Sequence, residues 1–430
     1  MKKFLLTFAA ITCSLIMSAQ LPETMKFFGD SHLTGTIGGN QVDLITVLDV
    51  VTVKDNMKTI IIPEIQNDES NAVIPSFMVT NLNTSPSTDG YACPPTDFSV
   101  VAGGKNITGK LQANYNAEQG KLSVTVTMAY GDNSDSLTYV QEGNFSTYVE
   151  IGGEAYRTVV LKDGREWMID NLRYVPEGKT VAALTNDYTG IQTDGIYYPA
   201  VFSIKEGAAV LTPSSSRNVI RTQGLLYTSV AAMNGTALPT EDWKDASNTQ
   251  GLAPAGWHVP TAQEWVDLVG ACSQTSKNNT EAPYYVQSLA GASLDTLNKD
   301  GFNLLPYPYL NQGKKYLGSY LNKSEGNPFN VYPSMCYFQS STGRSATQNY
   351  AAMITNNSVK TMVNCSYNFL TNACYVRFIK DYSDSTTDIN TTTNHTTDVK
   401  DNAIYNLSGQ RVTTKVKDIV IKNGKKYLMK

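Results

Sequence analysis

The sequence predicts a multidomain, largely β protein: an antiparallel barrel or sandwich, then a loop-rich α+β domain, then a short C-terminal β-hairpin. Three observations lead there. Residues 21–148 hold runs that alternate apolar and polar with a period of two, and no window shows a long helical period. Around Thr261 the period changes to that of a helix, behind a capping box. Near the end, 14 of the 16 residues Ser383–Asp398 are Ser, Thr, Asp or Asn, too polar to form a core. A chain of 430 residues is long enough for two or three domains.

The N-terminus begins MKKFLLTFAAITCSLIMSAQ: two lysines, a long apolar run, then Ser18-Ala19. This reads as an export signal over residues 1–19, cleaved after Ala19. Lipidation at Cys13 is the alternative. No later stretch holds about 18 continuous apolar residues, so the mature chain has no expected helical membrane span. The net charge of −4 offers no field suited to nucleic acid or an anionic membrane.

Residues 20–148 form the first expected domain. In Lys121–Met128, Leu122, Val124, Val126 and Met128 share one face while Ser123, Thr125 and Thr127 take the other. Ile107–Tyr115 alternates in the same way, and residues 116–120 supply the turn between them. Val42–Val53, Thr59–Ile65 and Ser76–Leu82 add short strands. Such spacing closes into a barrel or sandwich, its interior filled by its own side chains or holding an apolar ligand.

Residues 149–381 form the second. Its centre is GLAPAGWHVPTAQEWVDLVG, Gly251–Gly270. Pro254-Ala255-Gly256 reads as a turn and Trp257-His258-Val259-Pro260 as a short extended segment. Thr261 and Glu264 stand in capping-box spacing, and Trp265, Leu268, Val269 and Cys272 line one helical face. Trp257 and Trp265 therefore mark a packing centre rather than a chemical one, with His258 a structural group in its turn. Tyr307, Tyr309, Tyr316 and Tyr320 crowd a later stretch, and as rigid apolar plates with polar tips they are the candidate ligand-binding residues. The chain has only three histidines, and its cysteine spacing fits no zinc site, so no metal or other cofactor is expected. No P-loop, G-x-G-x-x-G, H-E-x-x-H or G-x-S-x-G occurs in a supporting context, and no catalytic residue is assigned.

Residues 382–400 read as a linker and residues 401–430 as a basic β-hairpin turning at Asn423-Gly424.

These stretches also carry resemblances. Gly256-Trp257-His258-Val259-Pro260-Thr261 with Glu264-Trp265 resembles the GWHxPTxxEW signature of the Fibrobacter succinogenes major paralogous domain of Bacteroidetes secreted and surface proteins. In order along the chain, so do Tyr156–Val159 with Trp167-Met168 and Asn171-Leu172, Gly224–Tyr227 with Ala231–Asn234, Gly301–Pro306, Tyr337–Thr342 and Val376–Asp381. The resemblance implies a C-type-lectin-like fold that displays a non-catalytic binding surface. Two positions depart from it: Ala253 and Phe378 stand where the family usually has cysteines, which suggests a disulfide replaced by apolar packing. A pair Cys365–Cys374, opposed across a turn at Asn368–Thr371, is the expected substitute.

Residues 20–148 resemble a calycin-like β-barrel. The tail, Tyr405–Val412 with Ile419–Lys426, resembles the C-terminal sorting tail of the type IX secretion system, although Asp418 replaces a usual glycine. Together the resemblances imply an exported protein, secreted or on the cell surface, and the type IX machinery as one partner. Glycan or a surface protein is the expected ligand. A carrier of an apolar small molecule in the barrel, or a structural component of a surface assembly, is the alternative.

Overall fold

The computed structural model describes residues 21–66, 73–131, 135–183, 193–205, 208–238, 249–272, 301–302, 309–311, 315–317, 335–356, 361–381, 404–406, 419–422 and 425–428. The chain divides into two compact units, Met1–Asp381 and Tyr382–Lys430.

The first unit opens with β1 (Thr24–Ile37), β2 (Asn40–Lys54), β3 (Thr59–Ile62), β4 (Ile65–Gln66), β5 (Val73–Ile74), β6 (Phe77–Val79), β7 (Ser85–Ser87), β8 (Gly90–Ala102), β9 (Lys105–Asn116), β10 (Lys121–Tyr130) and β11 (Leu137–Phe145). Nine of these make one antiparallel sheet in the order β6-β3-β2-β1-β11-β10-β9-β8-β7, and β4 pairs with β5 apart from it. Twist curls the sheet far enough for Phe77 of β6 to stack on Phe98 of β8, ring centroids 5.9 Å apart. The period-two reading of β10 holds: Leu122, Val124, Val126, Met128 and Tyr130 are buried and their neighbours are not. Their inward side chains join Phe27, Leu33, Val51, Leu111 and Tyr139 in one apolar cluster, so the chain's own residues occupy the described interior. Gly29 lets β1 and β11 approach closely, since a Cβ there would lie 2.0 Å from the Glu142 carbonyl oxygen.

The strands of the second domain are short except for β23–β25: β12 (Tyr148–Ile151), β13 (Glu154–Val160), β14 (Glu166–Met168), β15 (Val181–Ala182), β16 (Ile196–Tyr197), β17 (Ala200–Lys205), β18 (Ala208–Pro213), β19 (Leu226–Tyr227), β20 (Trp257–His258), β21 (Tyr309–Asn311), β22 (Lys315–Leu317), β23 (Met335–Ser345), β24 (Gln348–Asn356), β25 (Thr361–Phe369) and β26 (Ile379–Lys380). Helices α1 (Arg217–Gln223), α2 (Ser229–Ala232) and α3 (Ala262–Cys272) interrupt them. One sheet, ordered β12-β13-β14-β26-β20, gathers strands from both ends of the domain. Helix α1 docks on β2 of the curled sheet: Asn218 Oδ1 accepts from the Val47 amide at 3.1 Å, and Asn218 Nδ2 donates to the Ile45 carbonyl at 2.8 Å. The side-chain amide thus stands in for a strand's backbone along an open stretch of β2.

In the second unit β27 (Ile404–Asn406), β28 (Ile419–Lys422) and β29 (Lys425–Leu428) form an antiparallel sheet. The closing rung Lys422↔Lys425 leaves the two-residue connection that Asn-Gly favours.

The Cys365–Cys374 disulfide is not formed. That pair requires a hairpin folding Cys374 back onto Cys365, but β25 pairs with β24 instead. Cys365 lies opposite Ala352, Ala352 opposite Phe338, and Phe338 bridges to Tyr375. That row places Cys365 three strand spacings, roughly 14 Å, from the Cys374–Tyr375 segment. A disulfide needs Cα atoms within about 7 Å. Cys374 instead pairs its backbone with Tyr227 and is buried. At the two departures from the family pattern, Ala253 and Phe378 are both buried in one apolar cluster with Trp257 and Val259. Packing fills that site. A non-reducing peptide map of the purified protein is expected to release the Cys365 and Cys374 peptides separately; a cross-linked pair would contradict this strand order.

Candidate functional site

The motif residues converge, but on a core. Trp167 of β14 and Trp265 of α3 are fully buried with ring centroids 5.0 Å apart. Phe302 meets both edge-on, at 5.7 and 6.1 Å, and Phe338 of β23 stacks on Trp265 at 5.1 Å. Into this aromatic wall the chain buries a cation. The Arg377 guanidinium is 2% exposed, 4.7 Å from the Phe302 ring centroid and 5.2 Å from that of Phe338. Its Nε donates to Asn171 Oδ1 at 2.8 Å and its Nη1 to the Phe302 carbonyl at 2.5 Å. Four of the sequence motifs thus meet at one charged group.

Trp257 does not share that centre. It belongs to a second cluster with Tyr156, Met168, Tyr227 and Val259, while Trp265 packs in the first. The single packing centre expected of the two tryptophans is therefore two cores joined by the Gly256–Thr261 turn.

At this turn the capping box forms as its spacing implies. The Glu264 amide donates to Thr261 Oγ1 at 3.2 Å, and the Thr261 amide donates to Glu264 Oε2 at 2.8 Å. The cap carries a further load. His258 is 2% exposed, with Nε2 2.9 Å from Glu264 Oε2 and Nδ1 2.5 Å from Asp381 Oδ1. Arg165 Nη1 donates to Glu264 Oε1 at 2.6 Å, and the Asp381 amide donates to the Gly256 carbonyl at 2.8 Å. Gly256 has φ +81°, which a residue with a Cβ would resist. Burial pulls the His258 pKa down, but the hydrogen bond and charge of Glu264, then those of Asp381, carry it above the ordinary value. Burial raises that of Glu264, yet His258, the Thr261 amide and Arg165 bring it down to about 2. The result is an imidazolium held between two carboxylates, fastening the turn to the last strand.

The acids near the opening motif are also bound to structural partners. The Trp167 indole donates to Asp163 at 2.7 Å, Thr158 Oγ1 to Glu166 at 2.7 Å, and Arg157 Nη2 to Asp170 at 2.6 Å. Burial opposes ionisation of Asp170, but the Arg157 charge and hydrogen bonds hold its pKa below the usual range. In β23, Gln339–Thr342 are wholly buried. Thr342 Oγ1 accepts from the Ala262 amide at 3.0 Å, and Gln339 Nε2 donates to the Tyr227 carbonyl at 2.8 Å.

Of the tyrosine set, Tyr309 lies on β21 opposite Leu317 and Tyr316 on β22 opposite Leu310, adjacent rungs of one ladder. Tyr307 and Tyr320 lie outside the described residues, as do the side chains of the other two. Among the described residues no group of three or more His, Cys, Asp or Glu could hold a metal ion. No helix among them is long and apolar enough to cross a membrane, which leaves strands unaddressed.

A cleft of about 720 Å³ opens between the curled sheet and the second domain, lined by Lys26, Lys54, Tyr148, Arg173, Arg217 and Arg221 among others. Sequence reasoning missed it. It also passed over Arg221, which ion-pairs at 3.1 Å with the fully buried Asp49, itself held by Ser31 at 2.7 Å and Tyr139 at 3.2 Å. No local signal links residues 172 positions apart.

The geometry is that of a domain whose sequence motifs are its internal fastenings. The profile of the Fibrobacter succinogenes major domain matches residues 162–396, more than half of the chain, and the chain belongs to that family. No curated protein shows significant similarity to it. One solved structure, a provisional outer membrane protein from Bacteroides fragilis NCTC 9343, matches at 15% identity with a TM-score of 0.22. The match covers 28% of this chain and 49% of that one, too slight a likeness to bear on fold or function.

The clamp has a signed pH dependence. His258 contributes stability fully below its ordinary value of 6.5 and loses it as pH rises through its raised folded value. Glu264 contributes fully above its ordinary 4.5 and loses it as pH falls toward about 2. Thermal unfolding is therefore expected to show the full contribution of the clamp between pH 4.5 and 6.5. In His258→Gln the decline above that window should flatten; an unchanged profile would show that the imidazole carries no charge in the fold.

Proposed function

We propose that the chain is an exported, surface-displayed binding protein with no catalytic role. It recognises glycan or a surface protein through a C-type-lectin-like family domain set behind a calycin-like barrel. The observation that carries the reading is the commitment of the motif side chains. Trp167, Trp257, His258, Thr261, Glu264, Trp265 and Arg377 all spend their polar and aromatic groups inside the fold. Recognition then falls to surfaces outside the motifs, where the tyrosine-bearing β21–β22 hairpin and the inter-domain cleft lie. The signal-like residues 1–19 and the sorting-tail-like residues 401–430 support export and display, with the type IX machinery as partner.

A glycan array probed with the full mature chain tests the reading. Bound glycan should be lost on replacing Tyr307, Tyr309, Tyr316 and Tyr320 together by Ala, by about 1–3 kcal/mol, with the melting temperature kept. Trp265→Ala should instead unfold the domain, at a cost of about 3–5 kcal/mol. Tyrosine variants that unfold as readily as Trp265→Ala would place those rings in the core and remove them as a site.

A further inference from the structure

We propose that the cleft between the curled sheet and the family domain is a binding site for an oligosaccharide bearing a carboxylate. The site rests on the binding reading above and adds to the tyrosine set a second place of contact, with its own ligand class. At about 720 Å³ the cleft has the size of a ligand site for several linked sugar rings. Both domains build it, and beside it α1 docks on β2 through Asn218.

The lining gives the chemistry. Four ion pairs border the cleft: Lys26–Glu150 at 3.0 Å, Arg217–Glu64 at 3.3 Å, Arg221–Asp49 at 3.1 Å and Arg173–Glu154 at 3.1 Å. In three of them, Lys26–Glu150, Arg217–Glu64 and Arg173–Glu154, an exposed carboxylate stands beside its donor, the arrangement that adjacent sugar hydroxyls satisfy without reordering the protein. The Thr24, Thr52 and Ser76 side chains add hydroxyl groups to the same lining, and Tyr148, with the Lys26 ammonium 5.2 Å over one face of its ring, adds an aromatic side chain. So polar a wall disfavours an apolar small molecule.

The acid preference comes from the count. Five cationic side chains line the cleft against four carboxylates, and each carboxylate is engaged by one cation. Lys54 is the cation that remains, with no ion-pair partner among the described residues. It stands in a chain whose net charge is −4, so the local excess is a feature of the cleft and not of the whole surface. A single extra cation suits one carboxylate on a sugar and is too little for a polyanion such as nucleic acid.

The test is an array of oligosaccharides bearing galacturonate, glucuronate or sialate beside neutral counterparts of equal length. It is probed with the full mature chain and with Lys54→Ala and Lys54→Glu. Because Lys54 makes no ion pair among the described residues, both variants should keep the parent melting temperature. Acidic members are expected to bind, and Lys54→Ala to weaken them about 10-fold, as loss of one charge-assisted contact does. Lys54→Glu should weaken them further, and raising the salt should weaken the parent toward Lys54→Ala. Retention of neutral members alone would overturn the ligand class. Acidic binding unchanged in both Lys54 variants but lost in the tyrosine variants would overturn the cleft and leave the binding reading standing. Retention of no glycan at all would overturn the proposed site and the glycan reading together.

Discussion

One buried cation governs the family domain. A guanidinium removed from water costs several kcal/mol unless its hydrogen bonds and charge are met. Arg377 is 2% exposed and meets that cost through Asn171, 206 positions earlier, the Phe302 carbonyl, and the faces of Phe302 and Phe338. Each partner brings its own segment: Asn171 the loop after β14, Phe302 the segment beside Trp167 and Trp265, Phe338 the strand β23. The sheet that joins the two ends of the domain, β12-β13-β14-β26-β20, has strands of only two to seven residues and so has little ladder energy to set its topology. A polar anchor that tolerates only one arrangement of distant segments supplies the missing specificity.

The His258 clamp does the same for the other core. It ties the Gly256–Thr261 turn and the start of α3 to Asp381, where the compact unit ends. The two cores are thus closed by two charged fastenings, one aromatic-lined and one carboxylate-lined. Both use residues that, seen singly, resemble active-site groups. Their partners are the fold's own strands and turns, which is why the proposed binding surface lies away from them.

Much of this was legible in the sequence. Period-two patterning placed β9 and β10 nearly to the residue, because a strand with one face on a core must alternate. The capping box of α3 was legible for the same local reason, as was the pairing of β28 with β29. What failed was pairing at a distance. The Cys365–Cys374 disulfide assumed that neighbouring strands form a hairpin, whereas the chain after Phe369 crosses to the far side of β23. Trp257 and Trp265, eight residues apart, were read as one centre because sequence proximity hides that a turn sends them into separate cores. Arg377 and Asn171 both stand within sequence motifs, yet no periodicity announces a buried ion whose partner is 206 positions away. The inter-domain cleft was invisible for the same reason, being made by surfaces that only the folded chain brings together.

The central claim is that the family's motif residues hold the fold and do not touch ligand. Native-state hydrogen–deuterium exchange of Arg377→Met tests it most directly, since methionine keeps the volume while leaving Asn171 and the Phe302 carbonyl without their donor. Amide protection should fall together in β13, β14, α3, β23 and β26, segments spread through the domain. Protection unchanged in those segments, with glycan retention abolished, would make Arg377 a ligand contact and contradict the account.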